Sequence, residues 1–139
     1  MNQERTTLSI DTGAMIIDIE DTGGDIIGQF RFNPNDFDIV RRYEYVAEEL
    51  RKIVIPEDAT TNDLFTATDK IKELFDYLLN YKVSDSIFKK CNPLTLTANG
   101  DFYAENVLTG ITNLIEKTMD TRLKAKRAKI AKATEKYHE

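Results

Sequence analysis

Asp11, held in Leu8-Ser9-Ile10-Asp11-Thr12-Gly13-Ala14, is the residue whose neighbours best prepare it for chemistry. An aspartate on such a tight Thr-Gly turn can be half of a peptide-cleaving pair, two carboxylates that face each other across a dimer and share one proton. Ile26-Ile27-Gly28 imitates the apolar-apolar-glycine element that backs such a site. The chemistry also needs a flap and a β-barrel between the two elements. Only residues 14–25 separate them, and after Phe32 the pattern turns helical, so there is no chain from which to build the flap. The residues support a plain Asp-Gly turn.

The remaining constellations are weaker. Asp18, Glu20, Asp21 and Asp25 crowd one turn, and Gly23 falls sixth from Asp18, as a calcium loop requires. Asp21 and Thr22 break the ligand spacing, and the twelfth position is Gln29 instead of glutamate. A solvated turn accounts for the cluster. Cys91 and His138 are the sole cysteine and the sole histidine, far apart in the chain. They make a poor nucleophile pair and too few ligands for zinc. Gly23-Gly24 lacks the lysine and hydroxyl of a phosphate loop. No cofactor or metal is expected. Arg122, Lys124, Lys126, Arg127, Lys129, Lys132 and Lys136 form a basic run that suits a helix C-terminus, a partner's acidic surface or phosphates. Without interleaved aromatics beyond Tyr137, the run does not support base stacking.

These residues sit on elements that the pattern predicts. Ala14–Glu20 and Asp25–Phe32 are rich in Ile and Phe and partly alternate, with Asp21-Thr22-Gly23-Gly24 between them, so a β-hairpin is expected. Thr7–Ile10 is β-prone and offers a third, shorter strand, joined at Asp11-Thr12-Gly13. Asn35 or Asp36 can cap a helix whose face carries Phe37, Val40, Tyr43, Ala47, Leu50 and Val54 and which ends before Pro56. Thr60-Thr61-Asn62-Asp63 caps a second, with Phe65, Thr68, Ile71, Leu74, Phe75 and Leu78 on one face. Ser84 opens a short helix to Cys91. From Asp101 to Lys136 no proline interrupts a long helix, about 54 Å if continuous. Phe102, Val107, Leu108, Ile111, Leu114, Ile115, Met119 and Leu123 keep a three-to-four spacing along it.

The predicted fold is α+β: an N-terminal antiparallel hairpin packed on a mostly helical body that ends in a long C-terminal helix. One domain over residues 1–123 and a basic helical extension over 124–139 are expected. At 139 residues the chain can bury a core without staples. Lys and Arg number 11 against 21 Asp and Glu in residues 1–116, a net −10, and 8 against 3 in residues 117–139, a net +5. An acidic body of this kind repels nucleic acid. The polar start Met1-Asn2-Gln3-Glu4-Arg5 argues against a signal peptide, and no apolar run reaches the length of a membrane span. A cytoplasmic protein with no membrane contact is expected.

The order of motifs adds a resemblance. A hairpin leads into Phe30-Arg31-Phe32-Asn33-Pro34-Asn35-Asp36 and a helix; then come Ser86-Ile87-Phe88-Lys89-Lys90-Cys91-Asn92-Pro93-Leu94, Asn99-Gly100-Asp101 and a closing Lys-rich helix. Over roughly residues 14–137 this resembles the small tail assembly chaperones of siphophages and prophages of Gram-positive bacteria. The resemblance implies a non-enzymatic protein of the bacterial host's cytoplasm. Such a chaperone coats the long tape measure protein, helps to recruit tail tube protein and self-associates, and it is often made in two lengths by a translational frameshift. It has no catalytic residues to carry over.

A chaperone of a long, apolar, helical client needs exposed apolar stripes. Phe102, Leu108, Ile111, Ile115 and Met119 are the candidate partner-binding residues; the same residues could instead be core. The rival reading is a nucleic-acid-binding accessory protein of a phage or mobile element, working through the basic helix. An enzyme of aspartic protease type is the third, set aside for want of a flap.

Overall fold

Asp21 shapes the hairpin turn: its Oδ1 accepts from the backbone N–H of Gly23 at 2.9 Å and of Asp25 at 3.0 Å. Gly24, at φ 85°, supplies the left-handed residue that this turn needs. The computed structural model describes residues 3–135, with side chains described to Thr121. Its elements are β1 (Met15–Glu20), β2 (Ile26–Phe32), α1 (Asp38–Arg51), α2 (Thr61–Leu79), α3 (Ser84–Ile87) and α4 (Tyr103–Glu135). The α+β fold read from the pattern is the fold observed.

β1 and β2 pair antiparallel, Met15 opposite Phe32, Ile17 opposite Phe30 and Ile19 opposite Gly28, with an irregularity between Ile19 and Glu20. Gly28, Phe30 and Phe32 are buried and Met15, Ile17 and Ile19 half-buried, while Ile16, Asp18 and Glu20 face solvent. The sheet has two strands. Among the described residues no third strand forms: Thr7–Ile10 is irregular, and Leu8 and Ile10 stand 82% and 69% exposed. At the turn before β1, Asn33 Nδ2 donates to Thr12 C=O at 2.8 Å and Gly13 takes φ 80°, so Thr12 is tied to the end of β2.

The second edge of β2 is closed by side chains. Arg31 N–H donates to the Tyr81 hydroxyl at 2.6 Å, and Ser86 Oγ donates to Gln29 C=O at 2.6 Å. The Arg31 guanidinium lies over the Tyr81 ring, 5.4 Å from its centre.

α2 starts on a full capping box, in which Thr60 accepts from Asp63 N–H and Asp63 accepts from Thr60 N–H. It ends where Asn80 turns left-handed, at φ 59°. Thr68, Ile71, Leu74, Phe75 and Leu78 are buried along it, as the spacing predicts. α1 presents Ile39 and Val46 to the core. Phe37 and Val54, which the spacing places on that face, fall outside the helix and are exposed. Arg42 ties α1 to the end of α2: it donates to Leu78 C=O at 2.9 Å and pairs with Asp36 at 3.0 Å.

α3 is a single turn, shorter than the helix to Cys91 that Ser84 suggests. Its cap comes from α2: Asp76 Oδ1 accepts from the N–H groups of Val83 and Ser84, both at 2.8 Å, and Oδ2 from Ser84 Oγ at 3.2 Å. Phe88 then lies edge-on to Phe75 and to Tyr103, which joins α2, the α3 turn and α4 in one aromatic row.

Tyr103 is buried at the start of α4, and its hydroxyl donates to Ile87 C=O at 2.9 Å. Burial, with a smaller push from Cys91, raises its pKa from 10.0 to about 12. The folded chain therefore favours the neutral phenol. This stabilisation is complete below the unfolded tyrosine's pKa near 10 and is lost as pH rises through 12. Thermal melts between pH 9 and 12 should show the parent chain's melting temperature falling faster than that of Tyr103→Phe, which has no phenol to ionise there. Parallel curves for the two proteins would refute this role for Tyr103.

Candidate partner-binding groove

Two turns of irregular chain place the groove's side chains. Tyr103 N–H donates to Thr95 C=O at 2.8 Å and Ala104 N–H to Pro93 C=O at 3.0 Å. These bonds, with a β-bridge between Leu96 and Phe102, bring Leu94 and Phe102 to the same region of surface. The turn between them is set by Gly100 at φ 88° and by Asn99, whose Oδ1 accepts from Asp101 N–H at 3.0 Å. Glu105 reaches back to Phe102 N–H at 3.0 Å and starts α4.

Ile55, Leu94 and Phe102 are shared by two adjoining hollows of about 560 Å³ and 350 Å³. The larger is walled by Tyr43, Ala47 and Leu50 of α1 and by Leu108 of α4. The smaller runs under the first turns of α2, against Leu64, Phe65 and Thr68. Phe65, which the spacing assigns to the buried face of α2, is 60% exposed at this rim. Arg51 and Glu105 are the only charged residues of the larger lining, and Arg51 pairs with Glu48 at 3.2 Å. The result is a largely apolar groove of two hollows that meet at Ile55, Leu94 and Phe102, with the exposed aromatic Phe65 in the smaller.

The candidate stripe on α4 divides between this groove and the core. Phe102 and Leu108 line the groove and are half-buried. Ile111 and Ile115 are buried in the core, and Met119 packs against it partly covered. Ile111 also faces a separate hollow of about 520 Å³ between the hairpin and α4, along with Ile17, Ile27, Phe30 and Leu114. Phe65, Ile55 and Leu94 complete the groove without belonging to the stripe. Phe65 carried the one usable signal, a large aromatic near the start of a capped helix.

The residues that imitate chemistry do structural work. Asp11 Oδ1 accepts from Gly13 N–H at 3.0 Å, and Asp11 and Thr12 lie exposed. Asp21 is occupied by its own turn. Among the described residues no three His, Cys, Asp or Glu side chains gather as metal ligands. Cys91 is half-buried; His138 and Lys136 lie outside the described residues, as do the side chains of Arg122, Lys124, Lys126, Arg127, Lys129 and Lys132. Among the described residues no helix is long and apolar enough to cross a membrane. No family model, curated protein or solved structure matches this chain.

Proposed function

We propose that the chain is a tail assembly chaperone that acts by stoichiometric binding. It would hold the tape measure protein in soluble form in the bacterial host's cytoplasm and assist the recruitment of tail tube protein. The observation that supports this reading is the groove built around Ile55, Leu94 and Phe102. Two adjoining apolar hollows are what the i, i+3, i+4 and i+7 anchors of an amphipathic helix require. A tape measure protein, long and helical with apolar stripes, is a client of that shape. Groove binding needs no catalytic step, and the motif order of the chain carries the same reading.

The test is co-expression with a tape measure protein that is insoluble alone. The chain should bring it into the soluble fraction as a complex that persists in moderate salt. A client that stays insoluble, or a complex that dissolves steeply with salt and exchanges for DNA, would refute the groove reading and favour the basic helix. Phe65→Ala gives the sharper version. With Phe65 mostly exposed, the melting temperature should barely move, while loss of one aromatic anchor should weaken the complex about tenfold or more. Unchanged affinity would remove Phe65 from the site.

A further inference from the structure

We infer that residues 7–10 of one copy add as a strand to the open edge of β1 in a second copy. Two unsatisfied features of the same chain motivate this. The first is the edge itself. Arg31 N–H and Gln29 C=O point away from β1, since both are taken by side chains on the far side of β2. In an antiparallel pair the residues opposite them, Ile16 and Asp18, then turn their N–H and C=O groups outward as well. β1 thus offers a row of free backbone donors and acceptors beside an exposed Ile16.

The second feature is Thr7-Leu8-Ser9-Ile10, a β-prone run whose two apolar side chains stay in water. In the structure it does not pair with its own β1: Thr7–Ile10 is irregular, and the bond from Asn33 holds Thr12 C=O at the end of β2. The edge of β1 is therefore left for a second copy's segment.

The register is set by complementarity. With Ile10 opposite Met15, Leu8 falls opposite Ile17, Thr7 opposite Asp18 and Arg5 opposite Glu20. Leu8 and Ile10 then join the half-buried face of Met15, Ile17 and Ile19, and the segment's one cation meets an acidic side chain. Ser9 and Thr7 exchange backbone bonds with Ile16 and Asp18. A slip of one residue puts both apolar side chains on the solvent face. The exchange gives the self-association implied by the proposed function a defined surface, and it does not use the groove.

The test uses the whole chain. In solution its mass by light scattering should be a multiple of 15.9 kDa. Deletion of residues 2–10 should reduce it to one chain with an unchanged circular dichroism spectrum. A single-chain mass for the parent, or an undiminished mass after deletion, would overturn the proposal. In a Cys91→Ser background, chains carrying Leu8→Cys alone should form a disulfide with chains carrying Ile17→Cys alone, to a greater extent than either does by itself. Facing pairs without hydrogen bonds between them are the close ones in an antiparallel ladder. No added cross-link in the mixture, or ring closure within one doubly substituted chain at high dilution, would also overturn it. Phe65→Ala should cross-link like the parent, so a failed groove and a failed strand exchange give different results.

Discussion

Gly28→Ala is expected to lower stability by about 3 kcal/mol, the upper part of the range for overpacking a closed core. For a chain of this length that is a fall in melting temperature on the order of 10 °C. A Cβ on Gly28 would lie 2.8 Å from Ile87 C=O, 3.1 Å from the Tyr103 hydroxyl and 3.3 Å from Ile19 Cδ1. The nearest of these is backbone and cannot swing aside. The second is the group bonded to that same carbonyl. Space, and not backbone conformation, is what glycine provides here. Gly110→Ala is the matched control. It lies inside α4 with nothing within 4 Å of its added carbon, so the same substitution should stabilise by about 0.5–1 kcal/mol. Denaturant unfolding of the two variants beside the parent decides the matter; equal effects would mean that Gly28 is not the contact point of the hairpin with α3 and α4.

Asp76→Ala is expected to cost about 3 kcal/mol for a different reason. The carboxylate satisfies two backbone N–H groups, of Val83 and Ser84, in residues that are buried. Removing it leaves both donors without a partner where water does not replace it, and each such orphan costs about 1–3 kcal/mol. Asp76→Asn keeps an acceptor oxygen for the two N–H groups, and Ser84 Oγ can rotate to accept from the new amide. That variant should recover more than half of the loss. If asparagine were as damaging as alanine in urea melts, the charge and not the capping geometry would be what α3 needs.

The hairpin was legible because its turn chemistry and its alternation agree: Gly23-Gly24 between two Ile-rich runs admits few other structures. The helices were legible from their caps, Thr60 with Asp63 above all. What spacing could not show was which neighbour covers each face. Leu108 and Ile111 are adjacent on the same α4 stripe, yet Leu108 lines the groove and Ile111 belongs to the core cluster, a difference that their common spacing does not encode. Phe37 and Val54 mimic the α1 period from beyond its ends. The groove drew on Ile55 and Leu94, residues of irregular segments where periodicity carries no information, and on Phe65, which follows the α2 period but precedes the point at which that helix meets the body. Asp76 was hidden for a related reason: its partners follow it by 7 and 8 residues, past the end of its own helix.

The clasp on β2 also has an entropic consequence. Arg31 meets Tyr81 across 50 positions, and Gln29 meets Ser86 across 57. Drawing the ends of so long a segment together costs about 3.5 kcal/mol in chain entropy. One neutral hydrogen bond returns about 1 kcal/mol, so neither bond could hold the hairpin alone. The burial of Phe30 and Phe32 and the seating of Gly28 against Ile87 supply the difference, so the hairpin is held by its apolar face and only aligned by the two bonds.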